Sequence, residues 1–390
     1  MQLSRRISTL TGGGSDGWDV FNRAREMIAA GEDVTELTIG EHDIRTDPSI
    51  LDAMHAAALG GHTGYSAMAG VAGLRERVAD RLTQRTGVET RPENVMVTPG
   101  GQAALYAAHH AVCDEGDRAL YIDPYYATYP GVIRGVGAVP VAVQTRSSQA
   151  FQPQVEALEA VAPGAKSLLI NSPNNPTGVI YSRDTLEGIA EVCQRHDLWL
   201  ISDEVYDTQI WEGSHLSPRA LPGMEERTLV IGSMSKSHAM TGSRIGWVVG
   251  PQDVIEHMVT LALHTTYGVP GFIQDAALFA LDQGAALEEQ IAAPFRRRRA
   301  LALEILQAQN TVVAIPCQGA MYLMLDIRAT GLSGEDFANR LLDAHKIAVM
   351  PGESFGEASK GHLRVAMTVR DEVFVEALQT LCDYAAQIAA

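Results

Sequence analysis

Between about residues 45 and 284, short apolar runs of strand length keep ending in glycine or polar side chains. VMVT runs into Pro99-Gly100-Gly101-Gln102, LYID into Pro124-Tyr125-Tyr126, and LLIN into Ser172-Pro173-Asn174-Asn175-Pro176-Thr177-Gly178. LISD runs into Glu204-Val205-Tyr206, and LVIGS into Met234-Ser235-Lys236. Helix-like stretches separate these runs, among them VAGLRERVADRL (71–82), QAALYAAHHAV after Gly101, and TLEGIAEVCQRH (185–196). Buried apolar strands alternating with helices predict a mostly parallel sheet covered on both faces. In such a sheet ligands bind outside the carboxyl ends of the strands, so these loops are expected to line one crevice.

The tail has a different rhythm. A long helix is expected over EEQIAAPFRRRRALALEILQAQ, with a break near Pro294. Strands follow at TVVAI and AMYLMLDI, a helix at SGEDFANRLLDAH, a strand at HLRVAMTV and a closing helix from Asp371, with Ser333 and Asp371 as helix caps. The expected organisation is an α/β chain in two parts. Residues 45–284 form a large domain, and 285–390 form a smaller α+β lobe joined by the first 44 residues.

Charge and composition narrow the function. The 390 residues carry 30 Lys and Arg against 47 Asp and Glu, a net charge of −17. That excess of acid argues against nucleic acid and anionic membrane as partners. The basic run Arg296–Arg299 has acidic neighbours at Glu288, Glu289 and Glu304 and reads as a solvated helix face. Cys113, Cys193, Cys317 and Cys382 lack metal or disulfide spacing. No secretory leader or membrane span is expected, so the expectation is a cytoplasmic enzyme.

The strand-end residues supply a consistent chemistry. Gly101 and Gln102 begin a helix, where backbone N–H groups suit a phosphate. Ser233, Ser235 and Arg244 add two hydroxyls and a bidentate guanidinium. Asp203, ending an apolar strand, suits a protonated ring nitrogen, and Tyr206 points its hydroxyl toward the same place. Pro176 fixes the backbone after Asn175, holding that amide toward a ligand oxygen. Lys236 becomes a nucleophile if burial or nearby cations keep its amine neutral. A lysine able to bond an aldehyde, a carboxylate for a pyridinium nitrogen and a phosphate cup together describe pyridoxal phosphate. Arg364, mid-strand in HLRVAMTV, is either a salt-bridge residue or a clamp for a substrate carboxylate.

Taken with LTIGEHD (37–43), HTGYSAMAGVAGLRE (62–76), NSPNNPTG, SDEVY and SMSKSHAMTGSRIGW, these motifs resemble the fold-type I, class I/II (aspartate aminotransferase-like) aminotransferases over nearly the whole chain. The resemblance implies the fold-type I architecture, with a mostly parallel mixed sheet between helices and a smaller α+β domain. It implies transfer of an amino group from an amino acid to a 2-oxo acid by a ping-pong mechanism. Lys236 would hold the cofactor's aldehyde and then act as general base. Asp203 would pair with the ring nitrogen, and Asn175 and Tyr206 with the phenolic oxygen. Gly101, Gln102, Ser233, Ser235 and Arg244 would hold the phosphate. Tyr126 would stack on the ring, with Tyr125 the competing choice. Tyr65 would reach the cofactor of a neighbouring subunit in a homodimer, and residues 264–274 would line the site from that partner. Arg364 would bind the α-carboxylate and Gly40 would close over the substrate.

His42 departs from the proline frequent in this family, and two placements are open for it: the substrate entrance or a surface loop. No second arginine for a side-chain carboxylate is evident. The rival activities on the same scaffold are a carbon–sulfur β-lyase and an aminocyclopropane-carboxylate synthase. A non-enzymatic sensor domain would need a DNA-binding extension, which is not expected here. A nicotinamide oxidoreductase is disfavoured because no GxGxxG follows a strand.

Overall fold

The computed structural model describes residues 1–12 and 17–390. Twelve strands are present among the described residues: β1 Thr35–Leu37, β2 Val95–Thr98, β3 Arg118–Asp123, β4 Val139–Gln144, β5 Ala165–Asn171, β6 Trp199–Asp203, β7 Thr228–Ser233, β8 Gly246–Val249, β9 Val313–Ala314, β10 Tyr322–Asp326, β11 Ile347–Pro351 and β12 His362–Ala366. A seven-stranded sheet has the order β2-β8-β7-β6-β5-β3-β4. Its strands pair in parallel except β8, which runs against both of its neighbours. The sheet is therefore mixed and mostly parallel, and β2, β3, β5, β6 and β7 all end on one edge.

Period-two burial explains why this sheet needs cover on both faces. Leu168, Ile170 and Leu200 face one way and pack with Leu186 and Ile189 of the helix Arg183–Arg195. Leu169, Ile201, Leu229 and Ile231 face the other way, onto Ala104, Leu105 and Ala108 of the helix Gly100–Val112. On the first face, Val95, Val97 and Val230 meet Leu74 and Val78 of the helix Ala72–Thr86. Strands of four to seven mostly apolar residues thus serve the cores on both faces at once.

A second, five-stranded sheet has the order β1-β11-β12-β10-β9. Its core joins Leu323, Leu325, Val349 and Val365 to Phe295, Phe337, Leu341, Phe374 and Leu378 from the helices Ala285–Gln307, Gly334–His345 and Asp371–Ala389. β1 pairs in parallel with β11, which ties the segment ahead of residue 40 into this sheet.

Three local expectations are corrected. The helix Ala285–Gln307 runs unbroken through Pro294. Burial of Leu287, Ile291, Phe295 and Ala302 on one face holds it, and Gln290, whose carbonyl loses its partner, is exposed to water. Ser333 caps its helix by accepting from the Asp336 N–H at 3.0 Å, but Asp371 is not a cap. Asp371 lies inside the first turn and spends its carboxylate on Arg297 and Arg298.

The arginine run is a solvated face only in its first half: Arg296 and Arg297 are exposed, whereas Arg298 and Arg299 are not. Arg298 is buried, with Nη2 at 2.6 Å from Asp43 and Nε at 2.9 Å from Asp371. Arg299 donates to the Cys317 carbonyl and pairs with Glu212 at 2.7 Å. Arg296 pairs with Glu289 and lies over the Trp211 ring. The helix periodicity alone hides this, because the acidic partners of Arg298 and Arg299 come from distant segments. Removing one partner of a buried pair leaves an uncompensated charge. Arg298→Ala is expected to destabilise the protein by about 3 kcal/mol. Arg297→Ala, at an exposed pair, costs under about 1 kcal/mol. Urea unfolding of the two variants checks the difference, and equal losses would contradict it.

Candidate active site

The shared strand edge opens onto a cavity of about 300 Å³. Gly101 and Gln102 reach it from the end of β2, Tyr126 and Tyr129 from β3, and Asn171 and Asn175 from β5. Asp203 and Tyr206 come from β6, and Ser233, Ser235 and Lys236 from β7. The five-stranded sheet closes the opposite wall with Tyr322 of β10 and Arg364 of β12, and the loop after β1 adds Ile39, Gly40 and Glu41.

An anion cradle forms one end. The helix Gly100–Val112 starts here with no side chain capping its first N–H groups. Gly100 has φ of 80°, and the Arg244 guanidinium occupies the space a Cβ would need, so glycine is required there. Arg244 donates to the Thr241 carbonyl at 2.8 Å and reaches the Ser235 hydroxyl at 3.5 Å. The Ser233 hydroxyl accepts from the Ser235 N–H at 3.1 Å. Among the described residues Arg244 has no carboxylate partner, so its positive charge is directed at the cradle.

At the other end Asp203 is 4% exposed. It accepts from the Tyr129 hydroxyl at 2.7 Å and the Val205 N–H at 3.3 Å, and no cation pairs with it among the described residues. Burial pushes its carboxyl up to about 6, against the pull of these two hydrogen bonds.

Lys236 donates its amine to the Gly40 carbonyl. Burial lowers its pKa, and the charges of Arg364 and Arg244 act the same way, opposed by Tyr322 and Glu41. Its own carbonyl accepts from His42 Nε2 at 2.9 Å and Gln209 Nε2 at 3.3 Å. His42 therefore sits beneath the lysine backbone, edge-on to Phe295 at 5.3 Å, and occupies neither the entrance nor a surface loop. Burial brings its imidazole down to about 4, which keeps it neutral.

Arg364 is 1% exposed and lies between the rings of Tyr322 and Phe355, at 4.5 and 4.3 Å from their centroids. It donates to Asn175 Oδ1 at 2.9 Å and to the Thr38 carbonyl. Its Nε is buried without a partner among the described residues, and no carboxylate pairs with it. The salt-bridge alternative for this arginine is thus absent among the described residues, and a ligand carboxylate is the partner that fits.

The matching family model is that of aminotransferase class I and II, over residues 32–381. The chain belongs to this family. It is 40% identical to the arginine–pyruvate transaminase of Pseudomonas aeruginosa, with 100% of this chain and 99% of that one covered. It is 36% identical to the aspartate/prephenate aminotransferase of Thermus thermophilus, over 97% of each. The solved aspartate aminotransferase of Thermus thermophilus with maleate superposes with a TM-score of 0.92, at 36% identity over 98% of this chain and 99% of that one. The protein is an aminotransferase.

For this aminotransferase the structure separates the two adjacent tyrosines. Tyr126 lines the cavity edge-on to Tyr129, whereas Tyr125 turns to a neighbouring cleft against Tyr121. Tyr65 lies outside the cavity, 89% exposed and edge-on to Tyr267 at 5.0 Å. Several cavity residues escaped the sequence reading. Tyr322 places its hydroxyl 3.0 Å from that of Tyr206 and against Gly40, where a Cβ would overlap it. Tyr129 is the hydrogen-bond donor to Asp203, and the third aromatic of PYYATY was its one available signal.

The buried carboxyl has a measurable signature. A pKa raised by folding means that the folded state holds the proton more tightly, so stability falls as pH rises through the interval from 3.8 to about 6. That interval corresponds to on the order of 3 kcal/mol. In protein stripped of small molecules, the wild type is expected to lose about 2–3 kcal/mol more between pH 4 and 7 than Asp203→Asn does. Equal pH slopes in denaturant titrations would contradict the assignment.

Proposed function

We propose that this aminotransferase works with pyridoxal 5'-phosphate, moving an amino group from an L-amino acid to a 2-oxo acid in two half-reactions of ping-pong form. The observation that carries the reading is a set of charges that face one cavity without counterparts among the described residues: Asp203 and Arg364, both buried, at one end and on the opposite wall, and Arg244 in the cradle. The names of the relatives from Pseudomonas aeruginosa and Thermus thermophilus support an amino acid on one side of the reaction and, for the first, the 2-oxo acid pyruvate on the other.

The residues fit the cofactor group by group. The cradle of Gly101, Gln102, Ser233, Ser235 and Arg244 holds the phosphate. Asp203, ionised beside a ring N–H⁺, keeps that nitrogen protonated, and Tyr129 fixes the carboxylate's orientation. Tyr206 and Asn175 donate to the phenolic oxygen, and Tyr126 lies against the ring face. Pyridoxal phosphate, when bound, supplies an aldehyde that takes up the amino group and a ring that withdraws electrons from the substrate's α-carbon.

The chain's own groups then act on the substrate. Arg364 binds the α-carboxylate through parallel N–H donors, which fixes the α-carbon over the lysine. The Lys236 amine, kept neutral by burial and by two arginines, removes the proton from that α-carbon. Gly40 closes the cavity from the loop after β1. The reading extends to a large domain of residues 45–284 and a small one of 1–44 with 285–390. It also extends to a homodimer in which Tyr65 and the 264–274 segment meet the partner's site, and to a cytoplasmic setting. The exposed Tyr65–Tyr267 pair supports the first and four free buried cysteines the second. Among the described residues no helix is long and apolar enough to cross a membrane.

Lys236→Ala is expected to lower turnover by about 10³-fold or more. In the wild type, borohydride should fix a pyridoxyl-phosphate mass on the peptide containing Lys236. The visible band should fall with an amino acid and return with a 2-oxo acid. Label on another lysine, or turnover by the variant near the wild-type rate, would overturn the reading.

A further inference from the structure

Asp123, the last residue of β3, is a buried carboxylate to which the proposed function gives no task. It is 2% exposed, and no cation pairs with it among the described residues. Its partners are N–H groups instead. Oδ2 accepts from Gln144 Nε2 at 2.9 Å and from the Glu357 N–H at 3.0 Å, and Oδ1 accepts from the Ala358 N–H at 3.2 Å. Glu357 and Ala358 belong to the turn that follows β11, so the carboxylate ties the seven-stranded sheet to the end of a strand in the five-stranded one. Neighbouring residues tighten the junction. The Tyr125 N–H donates to the Phe355 carbonyl at 2.9 Å. Gly356 has φ of 121°, and a Cβ there would overlap Asp123 Oδ1 and the Tyr125 ring.

Phe355 is fully buried, with its ring centroid 4.3 Å from the Arg364 guanidinium carbon. The other ring on Arg364, that of Tyr322, is held by the ladder between β10 and β12. Phe355 lies outside any strand. Contacts inside the turn, such as that of the Ser359 hydroxyl with the Gly352 carbonyl at 2.8 Å, set its shape, and the bonds to Asp123 and Tyr125 set its place. We propose that Asp123 is a positioning residue for the carboxylate clamp: by fastening the turn 355–358 it keeps Phe355 on Arg364 and the guanidinium in the pose that receives a substrate's α-carboxylate. The inference rests on the transamination reading and adds to it a residue that does not line the cavity. A carboxylate suits the task because it only accepts, and all three groups facing it donate. Asparagine offers them one oxygen instead of two, so at least one buried N–H loses its partner and the turn shifts. An arginine without its second ring must be ordered by the substrate, which weakens binding.

The test uses enzyme loaded with pyridoxal phosphate at pH 8. Burial pushes the Asp123 carboxyl up only to about 6, so it is ionised there. L-Arginine, L-alanine and L-aspartate are tried as donors with pyruvate and 2-oxoglutarate, and the fastest combination is carried through. Asp123→Asn is expected to raise the KM of donor and acceptor alike by about tenfold, since each presents a carboxylate to Arg364, and to leave kcat within about threefold. Calorimetric titration with pentanoate, a carboxylate without an amine, should show a similar loss in Kd, and loss of that binding in Arg364→Leu identifies the site. A merely structural role lowers the folded fraction, which reduces apparent kcat and leaves KM and the pentanoate Kd unchanged; that outcome overturns the proposal. Phe355→Leu supplies a second check. If Asp123 acts through Phe355, the double variant raises KM no further than about the larger single effect, whereas effects that multiply overturn it. Cofactor-free Asp123→Asn should bind pyridoxal phosphate within about twofold of the wild type, and a loss as large as that for pentanoate means general distortion and overturns it as well. Where the asparagine variant does not fold, Asp123→Ser, which leaves room for water at the N–H groups, carries the same expectations. If no amino acid reacts, the transamination reading falls, and the pentanoate titration still decides whether Asp123 governs the arginine. Failure of the wild type to bind pentanoate removes the clamp and the proposal with it.

Discussion

Arg364 is a full charge placed where a protein interior does not hold one alone. Removing a guanidinium from water costs several kcal/mol, and no carboxylate offsets it among the described residues. The surroundings supply partial compensation. Two aromatic faces sandwich it, the Asn175 amide oxygen and the Thr38 carbonyl accept from it, and burial still lowers its pKa. These contacts come from β10, from the turn after β11, from the loop after β5, and from the chain just beyond β1. Fixing one arginine thus brings the five-stranded sheet against the carboxyl edge of the seven-stranded one, and that closure creates the cavity.

The same closure explains the electrostatics of the rest of the site. Asp203 and Lys236 would each be ordinary charges at a solvated strand end. Once the opposite wall is in place, burial pushes the carboxyl up and the amine down. The two shifts act together to reduce charge in an enclosed space, and both reverse when a partner of opposite charge arrives. A cavity arranged in this way binds an ion because binding removes a cost already present in the fold.

The parts of this arrangement that are visible in sequence are those with local causes. The strand-end loops carry their polar residues directly after apolar runs, so their convergence on one edge follows from parallel pairing alone. Gly101, Asn175, Asp203, Lys236 and Arg244 are legible in this sense. Tyr322 and Tyr129 are not, because a tyrosine in a strand or a turn is usually core, and only the tertiary approach of Gly40 and Asp203 gives these hydroxyls partners. The burial of Arg298 is hidden for the same reason. Its partners, Asp43 and Asp371, lie far away in sequence, while the nearby glutamates that suggested a solvated face are not its partners. Pro294 shows the reverse case, in which a strong local signal is overridden by packing along one helix face.

His42 shows how a departure from a family pattern can be read physically. The Lys236 carbonyl can only accept, so His42 Nε2 must carry the proton in that 2.9 Å contact. With Nδ1 buried and without a partner among the described residues, and burial bringing the ring down to about 4, the imidazole stays neutral at physiological pH. A cation there would add to the field of Arg364 and Arg244 at the lysine amine. A neutral donor instead pins the lysine backbone, together with Gln209, without altering that field. The loop that carries Gly40 and Glu41 is thereby fastened to the segment that carries Lys236. The lysine is thus tied to this loop twice, through its carbonyl to His42 and through its amine to the Gly40 carbonyl.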